Sequence, residues 1–341
     1  MCAATEPADL TDPGRLGRLL TLLEDDPLGS RRLLAGLPEP AEQPHRVGVT
    51  GSPGAGKSTL LRGLIKRYRA DGHRVGVVAV DPTSPLSGGA ILGDRIRLDD
   101  AQGDPDVFIR SLGSRGSLGG VTPGASAVAS VLEAAGYGRI LIETVGVGQT
   151  GYDVICLADT VVALFTPEGG DAVQLLKAGI LEIGDVYAVN KCDRPGAELL
   201  IKEIMLSLDL SQPSAAENMH HGLLTSADAD AAPSIPEPPP GERVWEPPVL
   251  RVIAQTGDGV EDVHRACEGH RAWLAGLAAD HPRRRQRVTR ELAFVMRSRL
   301  TRLLDDRLAA HLDALAMQVE AGELDIWEAV EQLRQSLATE L

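Results

Sequence analysis

The stretch Gly51-Ser52-Pro53-Gly54-Ala55-Gly56-Lys57-Ser58-Thr59 carries the spacing G-x-x-x-x-G-K-[ST] from Gly51 to Ser58. Each residue type has a physical task. The glycines let backbone N–H groups wrap phosphate oxygens, and a helix starting at the lysine presents its positive end to them. Lys57 reaches the outer phosphates, and the Ser58 hydroxyl is a ligand for Mg²⁺. The stretch therefore implies a nucleoside triphosphate. A second constellation, Asn190-Lys191-Cys192-Asp193, fits Asn-Lys-x-Asp at the end of a hydrophobic run. The Asp193 carboxylate can accept hydrogen bonds from N1–H and the 2-amino group of guanine, while the Lys191 stem lies on the ring. Adenine offers neither donor. Hydrogen bonds to a charged group are worth about 1.5–3 kcal/mol, so about a hundredfold preference for GTP and GDP follows.

Acidic groups that could serve the metal or the attacking water end two further hydrophobic runs: Asp81 in VVAVDPTSP and Glu143 in ILIETVGVGQ. Phosphoryl transfer depends on positioning and charge neutralisation more than on covalent help, so either carboxylate could hold Mg²⁺ through water or orient the nucleophile. The Gly-punctuated segments SGGAILGDRIR and EGGDAVQLLKAGILEI add Asp94, Arg97, Asp171, Gln174 and Lys177, charges that could move with the γ-phosphate.

These groups need a frame that brings several strand ends to one edge. From residue 47 to 254 the chain alternates short β-branched runs with helical stretches, the pattern of an α/β fold with a mostly parallel sheet flanked by helices. The expected strands are 47–50, 75–80, 107–110, 140–143, 161–165, 186–190 and 249–254, hydrophobic almost throughout and so buried on both faces. Leu60, Leu61, Leu64, Ile65 and Tyr68 make one apolar face of the helix after the phosphate loop. Residues 1–44 read as an N-terminal helical extension, with Leu16, Leu19, Leu20 and Leu23 at helical spacing. The nucleotide-binding domain spans 45–280 and contains a Pro-rich insertion at about 211–244. Residues 281–341 read as a C-terminal helical arm.

Composition narrows the function classes. A formal charge of −14 disfavours nucleic acid as a partner. Cys2, Cys156, Cys192 and Cys267 are scattered without metal-ligand spacing. The N-terminus lacks a basic end and apolar run, and no run reaches membrane-spanning length, so a cytoplasmic protein without a membrane partner is expected.

Taken in order, GSPGAGKST, VDPTSPLSGGAILGDR, SRGSLGG, IETVGVGQ, EGGDAVQLLKAGILEI, NKCD and WEPPVL resemble the methylmalonyl-CoA mutase-associated GTPases, the MeaB/MMAA/ArgK family of P-loop GTPases, from about residue 10 to 341. The resemblance implies a GTPase chaperone of an adenosylcobalamin-dependent acyl-CoA mutase. GTP binding and hydrolysis would gate cofactor loading from an adenosyltransferase and protection of the mutase. It implies Mg²⁺ contacts from Ser58, Asp81, Asp94 and Glu143, a switch containing Asp171 and Lys177, and a homodimer built through the C-terminal arms. Ile253 departs from the Ser-Ala pair usual beside guanine, although the Ala254 backbone N–H could still reach the base. Asp71-x-His73-x-x-Gly76 imitates a cobalt-ligating motif, but later elements follow too closely; adenosylcobalamin is expected to belong to the partner. The rival readings are a nickel or zinc metallochaperone GTPase, an ATP-dependent kinase of amino-acid transport, and a scaffold that binds nucleotide without turnover.

Overall fold

The computed structural model describes residues 10, 12–25, 36–40, 43–81, 103–113, 122–144, 154–168, 181, 183–210, 244–278 and 281–340. Strands β1 (His45–Gly51), β2 (Val75–Asp81), β3 (Val107–Gly113), β4 (Arg139–Thr144), β5 (Thr160–Phe165), β6 (Val186–Val189) and β7 (Val249–Arg251) form one sheet. Their order is β3-β2-β4-β1-β5-β6-β7, and every pairing is parallel. All C-terminal strand ends therefore share one edge. The chain steps outward from β1 to β3, returns to β4, crosses β1 to β5 and continues to β7. Ligands of open parallel sheets bind where the order reverses in this way, which puts the end of β1 at the site.

Alternate residues of each strand serve the two faces. Val47, Val49, Leu141, Val162 and Leu164 pack with α2 (Lys57–Ala70) and α6 (Val260–Gly276), through Leu60, Leu61, Leu64, Ile65, Tyr68, Val263 and Cys267. On the other face Phe165, Tyr187 and Val189 meet Leu200 and Ile204 of α5 (Ala197–Leu210), while Val161 meets Val154 and Ala158 on and just after the short α4 (Val154–Leu157). Helix α3 (Pro123–Ala134) lies against β2 and β4. The leucine-rich start forms α1 (Pro13–Asp25), which packs on α3 with Leu16, Leu20 and Leu23 buried; Leu19 is half-buried.

Strand ends differ from expectation by up to three residues, and the last has a local cause. The last strand stops at Arg251, because Ile253 leaves the ladder to pair antiparallel with Asp258 around a turn in which Thr256 and Gly257 both donate to the Ile253 carbonyl. The Pro-rich residues 211–243 lie outside the described residues. Beyond the sheet, α7 (Pro282–Glu320) and α8 (Ile326–Glu340) complete the chain. Residues Met1–Glu291 and Leu292–Leu341 are two compact units. Within the second, Asp325 Oδ1 accepts from the N–H groups of Trp327 and Glu328, and Glu328 reaches back to the Asp325 N–H, a capping box that starts α8. Among the described residues no helix is long and apolar enough to cross a membrane.

His73 has a structural place. Gly72 stands at φ +84° after α2, the Gly72 N–H bonds to the Arg69 carbonyl and the His73 N–H to that of Tyr68. This pair of bonds is a Schellman ending, and it explains the Asp-Gly-His sequence without a metal.

Candidate nucleotide site

Gly51 closes β1 and the next turn wraps back into α2, whose first residues are Lys57 and Ser58. Ser52, Pro53 and Gly54 form the turn, and Thr59 follows within the first helical turn. Two glycines are dictated by space as well as backbone angle. At Gly51 (φ +149°) a Cβ would lie 2.3 Å from the Leu164 carbonyl oxygen, and at Gly56 (φ +96°) it would lie 2.3 Å from Asn190 Nδ2. The loop is thus drawn close to both neighbouring strands on the β5 side.

Lys57 and Ser58 are both 8% exposed. The ammonium of Lys57 donates to the carbonyls of Gly51 at 2.9 Å and Ser52 at 3.1 Å, which holds it over the loop. Ser58 Oγ donates to Glu143 Oε1 at 2.8 Å, and Glu143 is 4% exposed. Parallel pairing sets Glu143 beside Val49, one strand over from the phosphate loop. A buried hydroxyl and carboxylate in contact at a helix N-terminus are hard oxygen donors, and they fit Mg²⁺. Asp81 ends β2 on the same edge, with its backbone opposite Gly113 of β3. Asp94, Arg97, Asp171, Gln174 and Lys177 lie outside the described residues.

The base side is organised by Asn190, 4% exposed. Its Nδ2 donates to the Ala55 carbonyl at 2.7 Å, and its Oδ1 accepts from the Ala254 N–H at 2.9 Å. One amide thereby ties the phosphate loop to the loop after β7. The Ala254 N–H is engaged by Asn190, because a buried amide oxygen requires a donor and this one is adjacent. Ala254 shapes the base-side loop through that bond.

Lys191 adopts φ +58°, a left-handed conformation that is uncommon outside glycine. A turn closed by the Arg194 N–H on the Lys191 carbonyl at 2.9 Å holds it there. Glu168, after β5, accepts from Lys191 Nζ at 3.0 Å and faces Arg194 NH1 at 3.0 Å. The hydrogen bond from Lys191, with the Arg194 charge behind it, holds the Glu168 carboxyl below its usual range. Asp193 stands beside this group with its side chain 52% exposed, 3.7 Å from Arg194. Glu168 was not singled out from the sequence, and only its place at the start of EGGDAVQLLK hinted at a role.

A parallel sheet whose central strand ends in a phosphate loop, with a Ser–Glu pair beneath it and an Asn-Lys-x-Asp loop alongside, defines a P-loop nucleoside triphosphatase. The chain belongs to the methylmalonyl-CoA mutase-associated GTPase MeaB family, whose profile matches residues 16–309. It is 36% identical over 321 residues to a protein of Pyrococcus horikoshii named as a GTPase, across 94% of this chain and 93% of that one. It is 36% identical over 218 residues to the mitochondrial methylmalonic aciduria type A homolog of Mus musculus, across 64% of this chain and 47% of the relative. A crystal structure of an LAO/AO transport system kinase superposes with a TM-score of 0.62 over 97% of this chain and 95% of that one; at 22% identity this bears on the fold alone. The protein is accordingly a GTPase.

Proposed function

We propose that this GTPase is a chaperone of an adenosylcobalamin-dependent acyl-CoA mutase such as methylmalonyl-CoA mutase. Its GTP cycle gates adenosylcobalamin loading from an adenosyltransferase and protects the loaded enzyme, with the cofactor held by the partner. The observation that carries the reading is the family match, which runs through both the phosphate loop and the base-side loop. The name of the mouse relative points the same way.

In this reading the P-loop amides and Lys57 bind the β- and γ-phosphates, and Asp193 selects guanine. Ser58, Asp81, Asp94 and Glu143 hold Mg²⁺, which would neutralise charge on the transferred phosphoryl group. Lys177 lies on the switch that responds to the γ-phosphate. The protein acts in the cytoplasm as a homodimer through its C-terminal helices. Leu292, Met296 and Leu300 recur every four residues on α7, all exposed, and Trp327 on α8 is 79% exposed, an apolar surface suited to a second copy.

The deciding experiment is GTP turnover by the purified protein, alone and with each adenosylcobalamin-dependent acyl-CoA mutase of its own genome. Acceleration by one mutase is expected, because no built-in arginine finger is evident in the sequence and intrinsic hydrolysis should be slow. Turnover unaffected by every mutase would overturn the chaperone reading and leave the GTPase.

A further inference from the structure

The sheet edge opposite the phosphate loop holds a cavity of about 270 Å³, bounded by the starts of β1, β5 and β6, by α4 and α6, and by the first turns of α7. Its arginines are paired with one exception. Arg287 meets Asp159 at 2.7 Å and Glu291 at 2.6 Å, Arg283 meets Asp185 at 3.1 Å, and Arg271 meets Glu268 at 2.8 Å. Glu133 is taken by Arg46 at 2.6 Å. The carboxylates that line the space, Glu133, Asp159 and Asp185, thus already face arginines. Arg290 has no ion pair among the described residues, and its Nε is buried without a hydrogen-bond partner.

His45 forms part of the cavity wall. It is 1% exposed and lines the same cavity; its Nε2 bonds to Thr160 Oγ1 at 2.7 Å, while its Nδ1 is buried without a partner. Burial lowers its pKa to about 3, so the ring is neutral and adds no charge to the cavity. Burial also lowers the pKa of Arg290, as expected of a guanidinium whose charge is incompletely compensated.

We propose that the cavity is a binding site for a small oxyanion, a phosphate or carboxylate group held by Arg290 against the wall formed by His45 and α4. Arg290 is half-buried and lacks an ion pair among the described residues, and an oxyanion in the cavity would form charge-assisted hydrogen bonds with its guanidinium. Size sets the class. At roughly 30 Å³ per water the cavity holds about nine waters, and it falls below the span of about 300–1,000 Å³ typical of sites for drug-sized molecules. Inorganic phosphate or a carboxylic acid of a few carbons fits, the latter against Ile155, Val161, Ile183 and Leu274.

The test is thermal unfolding of the full chain saturated with Mg²⁺ and a non-hydrolysable GTP analogue, so that the phosphate loop is filled. Sodium phosphate and sodium succinate are titrated separately against sodium chloride of equal ionic strength. A saturable rise in Tm with phosphate, succinate or both, absent with chloride, is expected, and the anion that acts identifies the source. Arg290→Gln should weaken the apparent affinity about tenfold or more, the loss expected of a charge-assisted contact. Ala275→Trp, placed on the exposed lip of the cavity, should do the same by blocking entry, with GTP turnover unchanged in both. Should Arg290→Gln fail to fold, Ala275→Trp decides alone. No saturable rise with either anion, or the same rise in a folded variant, overturns the proposal.

Discussion

At the scale of single residues, the proposed selector of the base is the charge at Asp193. Its carboxylate is held at the rim by a turn that forces Lys191 to φ +58°, a conformation costing about 1–3 kcal/mol that the surrounding contacts stabilise. Asp193→Asn replaces an acceptor with a donor, which suits the 2-oxo group of xanthine. The ratio of kcat/KM for GTP to that for XTP should fall by about a hundredfold or more. An Asn variant that still prefers GTP would exclude Asp193 as the selector. Much of the site was visible in the sequence because its residues act within short motifs. Lys57 and Ser58 belong to the first turn of one helix, and Asp193 to one turn after a strand. The bonds of Asn190 were the exception: they reach Ala55 and Ala254, segments far apart in sequence, and no local spacing reports them.

At the scale of elements, two joints carry predictions. The phosphate loop approaches β6 so closely that Gly56→Ala must displace Asn190 or bend the loop. Nucleotide affinity should fall by tenfold or more in calorimetric titration, and Asn190→Ala should not restore it, because φ +96° remains unfavourable for alanine. At the opposite edge Arg46, 3% exposed, bridges β1 to Glu133 of α3 and Glu291 of α7. Removing one partner of a buried ion-pair group costs about 3–5 kcal/mol, so Arg46→Ala should lower stability by that amount in urea unfolding. A loss under about 1 kcal/mol would mean that water replaces the guanidinium. The seven strands were legible because parallel strands buried on both faces need unbroken β-branched runs. The end of β7 was not, since Val252-Ile253-Ala254 is as hydrophobic as a strand and only the turn to Asp258 bends it away.

At the scale of the whole molecule, acid should loosen the fold earlier than its carboxylates alone would predict. His45 titrates near 3 when folded against 6.5 when unfolded, and burial lowers the pKa of His270 as well. A depressed folded pKa means that the unfolded chain takes up protons first as pH falls. The stability present above pH 6.5 is therefore drawn down between 6.5 and 3, by about 1.4 kcal/mol per pH unit for one such site. From pH 7 to 5 the wild-type protein should lose roughly 2 kcal/mol more than His45→Gln. Urea midpoints at the two pH values check this, and parallel losses would contradict it. The strand order has one more consequence, for the time at which the protein becomes itself. β1 is central, yet its neighbours β4 and β5 come much later in the chain, and Thr160 follows His45 by 115 residues. At about 5–20 residues per second a ribosome needs roughly 6–23 seconds to supply that partner. The strand that carries the phosphate loop is the first made but is flanked on both sides only once β5 has emerged, so a nascent chain can grip GTP only after synthesis has passed β5.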